Sequence, residues 1–336
     1  MLKRVDIENR ELNTLDERAM KAVNTKGRAL PEEKCEYRTE FVRDRDRIIH
    51  SKALRRLKHK TQVFLSPEGD HYRTRLTHTL EVSQVARTIA RILNYNEDLT
   101  EAIALGHDLG HTPFGHNGEM VLNSIHPGGF KHNVQSLRVV ELLETGQDRN
   151  GMNLTYEVKD GILNHTGDID PITLEGQIVK ISDRIAYVNH DMDDAIRSGV
   201  ITMPDFPKWP IKILGETHSK RINNLIESLV ISSERKDRIT LDDEHGVALD
   251  EMRSFMFENV YNSENVKKAE DLNKVEVVIT SLYNYYVEHP DKMPKIYHEI
   301  VKNEGTNVAV KDYIAGMTDR YALSAYSELF VPKAWK

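Results

Sequence analysis

Three imidazoles and two carboxylates lie within one short stretch of the chain, residues 107–119. They are His107, Asp108, His111, His116 and Glu119. Imidazole nitrogen and carboxylate oxygen are ligands of divalent metals, and the same groups transfer protons near neutral pH. The stretch therefore predicts a metal centre, an acid/base centre, or both.

The two ends of this stretch suit different tasks. Adjacent His107 and Asp108 can both reach one divalent ion, because the imidazole offers a neutral nitrogen and the aspartate a charge-neutralising oxygen. If a helix begins after Pro113, His116 and Glu119 share a face, since residues three apart are neighbours on a helix. The carboxylate can then fix the tautomer of the imidazole and raise its basicity. We predict an acid/base pair beside a metal pair.

The residues before His107 predict the helix that delivers it. Asp98 to Glu101 read as an N-cap and capping box, and apolar residues follow at helical spacing. His107 then ends the buried stripe of that helix. A His-Asp dipeptide alone is common by chance, but a charged pair in the interior needs partners that offset its desolvation. A metal with further ligands supplies them.

Two other helices offer such ligands. Residues 77–93 carry an apolar stripe, and His78 lies on the same inward face. Residues 174–196 form another helix, where Asp183, Tyr187 and Asp191 recur every four residues away from the apolar stripe. Periodicity alone makes this second stripe a solvated polar face.

The order of these residues resembles that of a known family. His78, His107, Asp108 and Asp183 match the H…HD…D pattern of the HD-domain metal phosphohydrolases. Four phrases look like the deoxyguanosine triphosphate triphosphohydrolase branch of that superfamily, and the resemblance extends from about residue 24 to residue 330. The phrases are residues 106–119, 130–133, 181–194 and 317–321.

The resemblance implies roles for particular residues. It assigns one divalent metal ion to His78, His107, Asp108 and Asp183, and acid/base work to His116 and Glu119. We expect Mn²⁺ or Mg²⁺, although Fe, Zn and Ni are also admissible with two nitrogen and two oxygen ligands.

The resemblance also implies substrate contacts. The Tyr187 position packs against a deoxyribose and leaves little room for a 2′-hydroxyl, while Asp191 accepts the 3′-hydroxyl. The remaining implied contacts are Arg75 and Arg184 on the triphosphate, His111 and His132 as additional donors, and Gln62 near the sugar.

The implied activity is metal-dependent hydrolysis of deoxynucleoside triphosphates, including dGTP, at the α-phosphorus to deoxynucleoside and tripolyphosphate. One alternative is an HD-superfamily nucleotidase or phosphodiesterase that acts on another nucleotide. Another is a non-catalytic nucleotide sensor, against which intact His116 and Glu119 weigh, because a sensor needs no leaving-group acid.

Composition limits the class of protein. The chain has 336 residues, 39% of them hydrophobic, which is enough for a sizeable core. Its net charge of −7 makes nucleic acid an unexpected partner, while a local basic pocket can still hold a nucleotide. The single cysteine, Cys35, excludes an internal disulfide. No secretory pattern or stretch of ~20 apolar residues is present, so we expect a cytoplasmic protein without a membrane partner.

The predicted fold is all-α, an HD-domain helical bundle with a C-terminal helical appendage. Turn-forming residues 66–70 add a small β-hairpin near residues 61–76. Three prolines at 204, 207 and 210 suggest a boundary between an N-terminal segment with the HD core, 1–198, and a helical region, 199–336, unless both form one continuous domain. That region should help to close the pocket or assemble a homo-oligomer. Its predicted helices are 211–232, 248–260, 272–288 and 312–329.

Overall fold

The computed structural model describes residues 1–62, 73–145, 150–197, 199, 201–261 and 269–332. Sixteen α-helices build this described part, and its β structure consists of isolated bridges, which confirms the all-α prediction. The helices are α1 (Arg4–Thr14), α2 (Glu40–Ile49), α3 (Lys52–Arg56), α4 (Arg75–Ile92), α5 (Glu97–Gly106), α6 (Gly115–Ile125), α7 (His132–Arg138), α8 (Tyr156–Asn164), α9 (Leu174–Arg197), α10 (Lys208–Leu214), α11 (His218–Ser233), α12 (Asp243–Met256), α13 (Ala269–Glu288), α14 (Lys295–Glu304), α15 (Thr306–Ala315) and α16 (Asp319–Phe330).

Helix α5 lies at the centre of the bundle and packs against α2, α4, α8 and α9. Its residues Leu99 and Ile103 are fully buried, as the apolar spacing predicts. The predicted capping box was wrong, because the helix begins earlier. Asn96 is the N-cap, and its side chain accepts a hydrogen bond from the Leu99 N–H at 3.1 Å. Asp98 instead forms an ion pair with Arg45 of α2 at 2.8 Å.

The predicted hairpin near residues 61–76 is not borne out. Residues 63–72 lie outside the described part of the chain. The flanking residues form only an isolated antiparallel bridge between Thr61 and Thr74. Thr74 is the N-cap of α4 and accepts from the Thr77 N–H, so the chain is helical from Arg75 onward and residues 75 and 76 cannot extend a strand.

Two of the four helices predicted in the C-terminal half are each divided into two shorter helices. The predicted helix 211–232 is divided between α10 and α11 at Gly215, whose φ of 117° is closed to other residues. The predicted helix 312–329 is likewise divided between α15 and α16, because the Thr318 side chain caps a new helix at Asp319. Helix α14 was not predicted.

Two hydrophobic clusters hold the helices together. The larger one joins the central bundle with residues from α11 and α12. The smaller one is built on α13, α15 and α16 and includes Phe114 and Leu122, so α6 packs on the C-terminal helices through α13. No described helix has the length and apolar character that crossing a bilayer requires. The division of the chain at residue 199 stays a prediction.

Candidate active site

His107 follows the last turn of α5 and ends in an unpaired nitrogen. Its Nδ1 donates to the carbonyl of Ala104 at 2.7 Å, which leaves the lone pair of Nε2 free. The Nε2 atom is buried and has no hydrogen-bond partner within the described residues. A buried polar atom without a partner is costly, and a metal ion is a ligand that suits a neutral imidazole nitrogen.

The structure brings the four predicted metal ligands together around this atom. His107 Nε2 lies 3.7 Å from Asp183 Oδ1 and 3.8 Å from Asp108 Oδ1. His78 Nε2 lies 3.0 Å from the same Asp183 oxygen. Burial raises the pKa of Asp183, but the hydrogen bond with His78 outweighs it and lowers the pKa to about 2. The donor set of two imidazoles and two carboxylates fits one divalent ion.

Arg75 occupies the other side of Asp108. Its Nη1 lies 2.8 Å from Asp108 Oδ2, and both side chains are buried. Burial raises the pKa of Asp108, but Arg75 holds it well below its ordinary value. Arg75 Nη2 also approaches the carbonyl of Gln62 at 3.5 Å. The predicted phosphate contact Arg75 thus adjoins both the metal cluster and Gln62.

The loop after Asp108 is held tightly against α7. The N–H of Gly110 donates to Ser136 Oγ at 2.8 Å, and that hydroxyl donates to the carbonyl of His107 at 2.7 Å. A Cβ on Gly110 would lie 2.1 Å from the Ser136 backbone nitrogen, so only glycine permits this approach. The contact places His132, the first residue of α7, beside the loop.

Helix α6 begins after Pro113, as the acid/base pairing requires. His116 Nδ1 lies 3.3 Å from Glu119 Oε2, one turn later. Burial raises the pKa of Glu119, but hydrogen bonds with His116 and His132 bring it far below its ordinary value. Glu119 therefore remains a carboxylate. The side chain of His116 is 64% exposed, whereas Glu119 beneath it is 12% exposed, so an incoming ligand reaches the imidazole first.

His111 and His132 lie between this pair and the metal cluster. Their rings are stacked, with centroids 4.5 Å apart. Burial and the charge of Arg75 lower the pKa of His111 well below its ordinary value. Burial also lowers the pKa of His132, but the contact with Glu119 overrides it and raises the pKa. One ring is thus neutral, and the other favours its cationic form.

His165 also belongs to this group of rings and was missed in the sequence. Its Nδ1 donates to the Ile162 carbonyl at 2.7 Å, and its Nε2 lies 3.3 Å from His132 Nε2. Its ring lies 5.0 Å from that of His107. Burial lowers the pKa of His165 to about 3. The available signal was its place on the buried face of α8, one turn after Ile162 and two turns after Val158.

The polar stripe on α9 turns toward the interior of the protein. Asp183 reaches the metal cluster, and Asp191 is buried. Burial raises the pKa of Tyr187 to about 12, although the charge of Arg253 opposes the shift. The solvated face that periodicity alone indicates is therefore wrong for these positions. Their predicted contacts with a sugar remain predictions.

Two of the remaining predicted contacts have distinct surroundings. The Oε1 atom of Gln62 is buried and has no hydrogen-bond partner in the described residues, so it can accept from a ligand hydroxyl. Arg184 forms an ion pair with Asp250 of α12 and is partly exposed. The structure gives Arg184 a protein partner on the C-terminal side of the site.

Arg253 is a cation that the sequence analysis missed. It lies on α12, close enough to Tyr187 for its charge to oppose the rise in the pKa of that residue, and places its guanidinium 5.4 Å from the centre of the Phe257 ring. Its side chain is exposed. Because 66 positions separate Arg253 from Tyr187 in the chain, spacing could not relate them.

Comparison with known proteins decides the family. Residues 75–188 match the HD domain, and residues 239–328 match the phosphohydrolase-associated domain. A protein of Caldanaerobacter subterraneus subsp. tengcongensis called deoxyguanosinetriphosphate triphosphohydrolase-like is 56% identical over 98% of this chain and 96% of its own length. The chain belongs to the dGTPase-like branch of the HD-domain family. Relatives with the same description from Clostridium tetani and Geobacter sulfurreducens are 47% and 42% identical over 97% and 94% of this chain.

This membership makes the dGTPase-like chain a metal-dependent phosphohydrolase. The HD match begins at Arg75 and spans all four predicted metal ligands. His78, His107 and Asp108 present ligand atoms within 4.8 Å of one another, and Asp183 contacts two of them. The buried, unpartnered Nε2 of His107 fits the same conclusion, since a metal would satisfy it.

Proposed function

We propose that this chain hydrolyses deoxynucleoside triphosphates, dGTP among them, at the α-phosphorus to give deoxynucleoside and tripolyphosphate. One observation carries the proposal. An exposed imidazole, His116, is paired with the buried carboxylate Glu119 beside a cluster of metal-ligand type. A nucleotide sensor would need the metal-ligand cluster and the cationic side chains, but it would not need an exposed proton donor such as His116.

His78, His107, Asp108 and Asp183 would hold the divalent ion. When bound, such an ion polarises the phosphoryl group and lowers the pKa of water. The two imidazoles already have the orientation that coordination needs. His107 donates through Nδ1, which leaves Nε2 for the ion, and His78 directs Nε2 toward Asp183. Mn²⁺ or Mg²⁺ is the proposed ion.

His116 would act as the leaving-group acid. Its Nδ1 faces Glu119, so Nε2 is directed away from the carboxylate and can give a proton to the departing 5′-oxygen. The carboxylate of Glu119 fixes the orientation of the imidazole that carries this proton. A positioned acid of this kind contributes a factor of ~100 to 10,000 in rate.

The cations around the cluster suit a triphosphate. Arg75 is buried beside Asp108, and the contact of His132 with Glu119 favours its cationic form. Arg184 and Arg253 lie toward the C-terminal side, where α12 meets α9. Guanidinium groups stabilise phosphate oxygens through paired hydrogen bonds, and that stabilisation grows as charge develops on the leaving polyphosphate.

Tyr187 and Asp191 would recognise the sugar of the nucleotide. The tyrosine ring packs against the larger hydrophobic cluster, and a rigid wall is what excludes an added 2′-hydroxyl. Gln62 contacts Arg75 through its backbone carbonyl, and its side-chain Oε1, which has no partner among the described residues, can accept from a sugar hydroxyl. These contacts favour a deoxynucleotide over a ribonucleotide.

The test is product identification. Purified, metal-loaded protein is incubated with each of the four deoxynucleoside and four ribonucleoside triphosphates, and products are separated by anion-exchange chromatography. Tripolyphosphate and deoxynucleoside in equal amounts are the expected products, and His116→Ala is the inactive control. Release of orthophosphate or pyrophosphate would favour another HD-superfamily phosphohydrolase, and nucleotide binding without turnover a sensor.

The quaternary state and location complete the proposal. We propose a cytoplasmic homo-oligomer, because the C-terminal helices present an additional surface beside the bundle. Size-exclusion chromatography with light scattering measures the assembly directly, and a monomer at working concentration would remove this part.

A further inference from the structure

Asp319 connects the C-terminal helices with two segments of the active site. It is the first residue of α16 and is buried. Its Oδ1 accepts the N–H of Phe114 at 2.9 Å, and its Oδ2 accepts the N–H of Thr61 at 2.9 Å and the Thr61 hydroxyl. One carboxylate thus receives three hydrogen bonds across 205 and 258 positions of the chain.

Phe114 holds a strained backbone conformation at the start of the catalytic helix. Its φ is 61°, in the left-handed region that bulky residues rarely adopt, and Gly115 follows with a φ of 57°. Such a conformation is unfavourable for a bulky residue and persists only where the surroundings enforce it. Helix α6, with His116 and Glu119, starts directly from this turn.

The second segment lies against the same turn. A Cβ on Gly115 would be 2.9 Å from the carbonyl oxygen of Gln62 and 3.3 Å from Arg75 Nη2. The turn therefore lies so close to the Thr61–Gln62 backbone that residue 115 has room for a hydrogen atom but not for a side chain. Asp319 bonds to both sides of this contact, so it fixes the distance between them.

Lys60 makes a parallel connection one residue earlier. Its Nζ donates to the carbonyl of His111 and, at 2.8 Å, to the carbonyl of Ala315 at the end of α15. The side chain is buried. The loop that leads into the strained turn is thus connected to the C-terminal helices at two points, His111 and Phe114.

We infer that Asp319 is a positioning residue for the proposed hydrolysis: it holds the Phe114 turn and the Thr61–Gln62 segment so that His116 and Glu119 meet the metal cluster in register. All three of its partners are donors, so only an ionised carboxylate can satisfy them together. An amide of the same shape would place an NH₂ group against an N–H or a hydroxyl. This inference rests on the proposed function for its catalytic part alone.

The kinetic test uses Asp319→Asn alone and combined with His116→Ala. For a misplaced acid we expect kcat to fall on the order of 100-fold in the single variant, with KM changed by less than about threefold. In the His116→Ala background the same change should cost less than about threefold, because residues that act as a unit are not additive. An equal loss in both backgrounds would mean that Asp319 acts independently of His116, and it would overturn the catalytic part of the inference.

Asp312→Asn is the matched control. Asp312 is a buried carboxylate of α15 that pairs with Arg138, Gln135 and Lys311, and within the described residues its side chain makes no hydrogen bond to Thr61 or Phe114. We expect this variant to lose stability while kcat per folded molecule stays within about twofold of wild type, since the hydrogen bonds of Asp319 are kept. A 100-fold loss of kcat in folded Asp312→Asn would remove the special role of Asp319.

Hydrogen exchange separates this inference from the proposed function. In Asp319→Asn, exchange of the Thr61 and Phe114 amides should accelerate, while the control keeps wild-type rates there. This measurement needs no substrate, so it decides whether Asp319 holds the two segments even if no deoxynucleotide is hydrolysed. Unchanged exchange at both amides in the folded variant would overturn the inference.

Discussion

Glu119 and His132 are joined by two hydrogen bonds to one oxygen. Glu119 Oε1 accepts the His132 backbone N–H at 2.9 Å and its ring Nδ1 at 3.0 Å. The other oxygen of the carboxylate faces His116 at 3.3 Å. A single acidic side chain therefore orients the proposed leaving-group acid and fixes the first residue of α7, from which a second imidazole faces the site.

Glu119→Gln should therefore cost at least as much activity as His116→Ala. The amide would have to direct its NH₂ toward one of two donors, so it would disturb either His116 or His132. We expect kcat losses of ~100 to 10,000-fold for His116→Ala and no smaller loss for Glu119→Gln, with metal content unchanged in both. Steady-state kinetics with parallel elemental analysis measures this. A much smaller loss in Glu119→Gln would show that its only task is to orient His116.

Asp183→Ala should lose metal and activity together. Asp183 contacts both His78 and His107, so its removal takes away a charged ligand and the hydrogen-bond partner of His78. Asp193→Ala is the control on the same helix, because Asp193 pairs with Arg221 at 3.2 Å and lies outside the cluster. Elemental analysis should give a metal-to-protein ratio near zero for the first variant and the wild-type ratio for the second. Full metal occupancy in Asp183→Ala would remove this residue from the ligand set.

The sequence predicted what local spacing and motif order can carry. Helices α4, α5 and α9 were expected from apolar periodicity, and α6 from the acid/base pairing with the proline before it. The placement of His78, His107, Asp108 and Asp183 in one cluster followed from their order and the family resemblance. Helix boundaries were predicted less accurately. Asn96 is the N-cap of α5 where Asp98 was predicted, and both residue types can fill an N-cap position.

The rest depends on contacts between distant parts of the chain. Arg253 reaches Tyr187 from α12, and Asp319 reaches Phe114 from α16, and no local pattern encodes either contact. His165 was on a predictable buried face, but a buried histidine is more often a satisfied core residue than part of a site. Its proximity to His132 requires the packing of α7 against α8, which only the folded chain provides.

Tyr187→Ala should weaken sugar discrimination. The buried ring is the proposed wall against a 2′-hydroxyl, and a pocket that merely excludes a hydroxyl by packing discriminates by roughly 100-fold. We expect wild type to prefer dGTP over GTP and Tyr187→Ala to bring the ratio of their kcat/KM values toward one. Tyr187→Phe keeps the ring and removes only the hydroxyl, so it should retain most of the preference. Equal kcat/KM values for dGTP and GTP in wild type would contradict the role of Tyr187 in sugar discrimination.

The pH dependence of stability should report on Glu175. This residue of α9 is fully buried, and its Oε1 accepts the N–H groups of Met20 and Asn96 at 2.9 and 3.1 Å, while its Oε2 has no hydrogen-bond partner in the described residues. Burial raises its pKa from 4.5 to about 7. Between these two values the folded chain binds a proton that the unfolded chain has lost, so stability falls as pH rises through this window.

Glu175→Gln should flatten that slope. The amide cannot ionise, so the loss of up to about 3 kcal/mol in the free energy of unfolding between pH 4.5 and 7 should shrink. Glu11→Gln should act in the same direction, because burial also raises the pKa of Glu11 to about 7. Urea unfolding at several pH values from 5 to 8 measures both slopes. If Glu175→Gln and wild type lose stability in parallel across this range, Glu175 is ionised in the folded protein and the N-terminal segment around Met20 is held by a carboxylate.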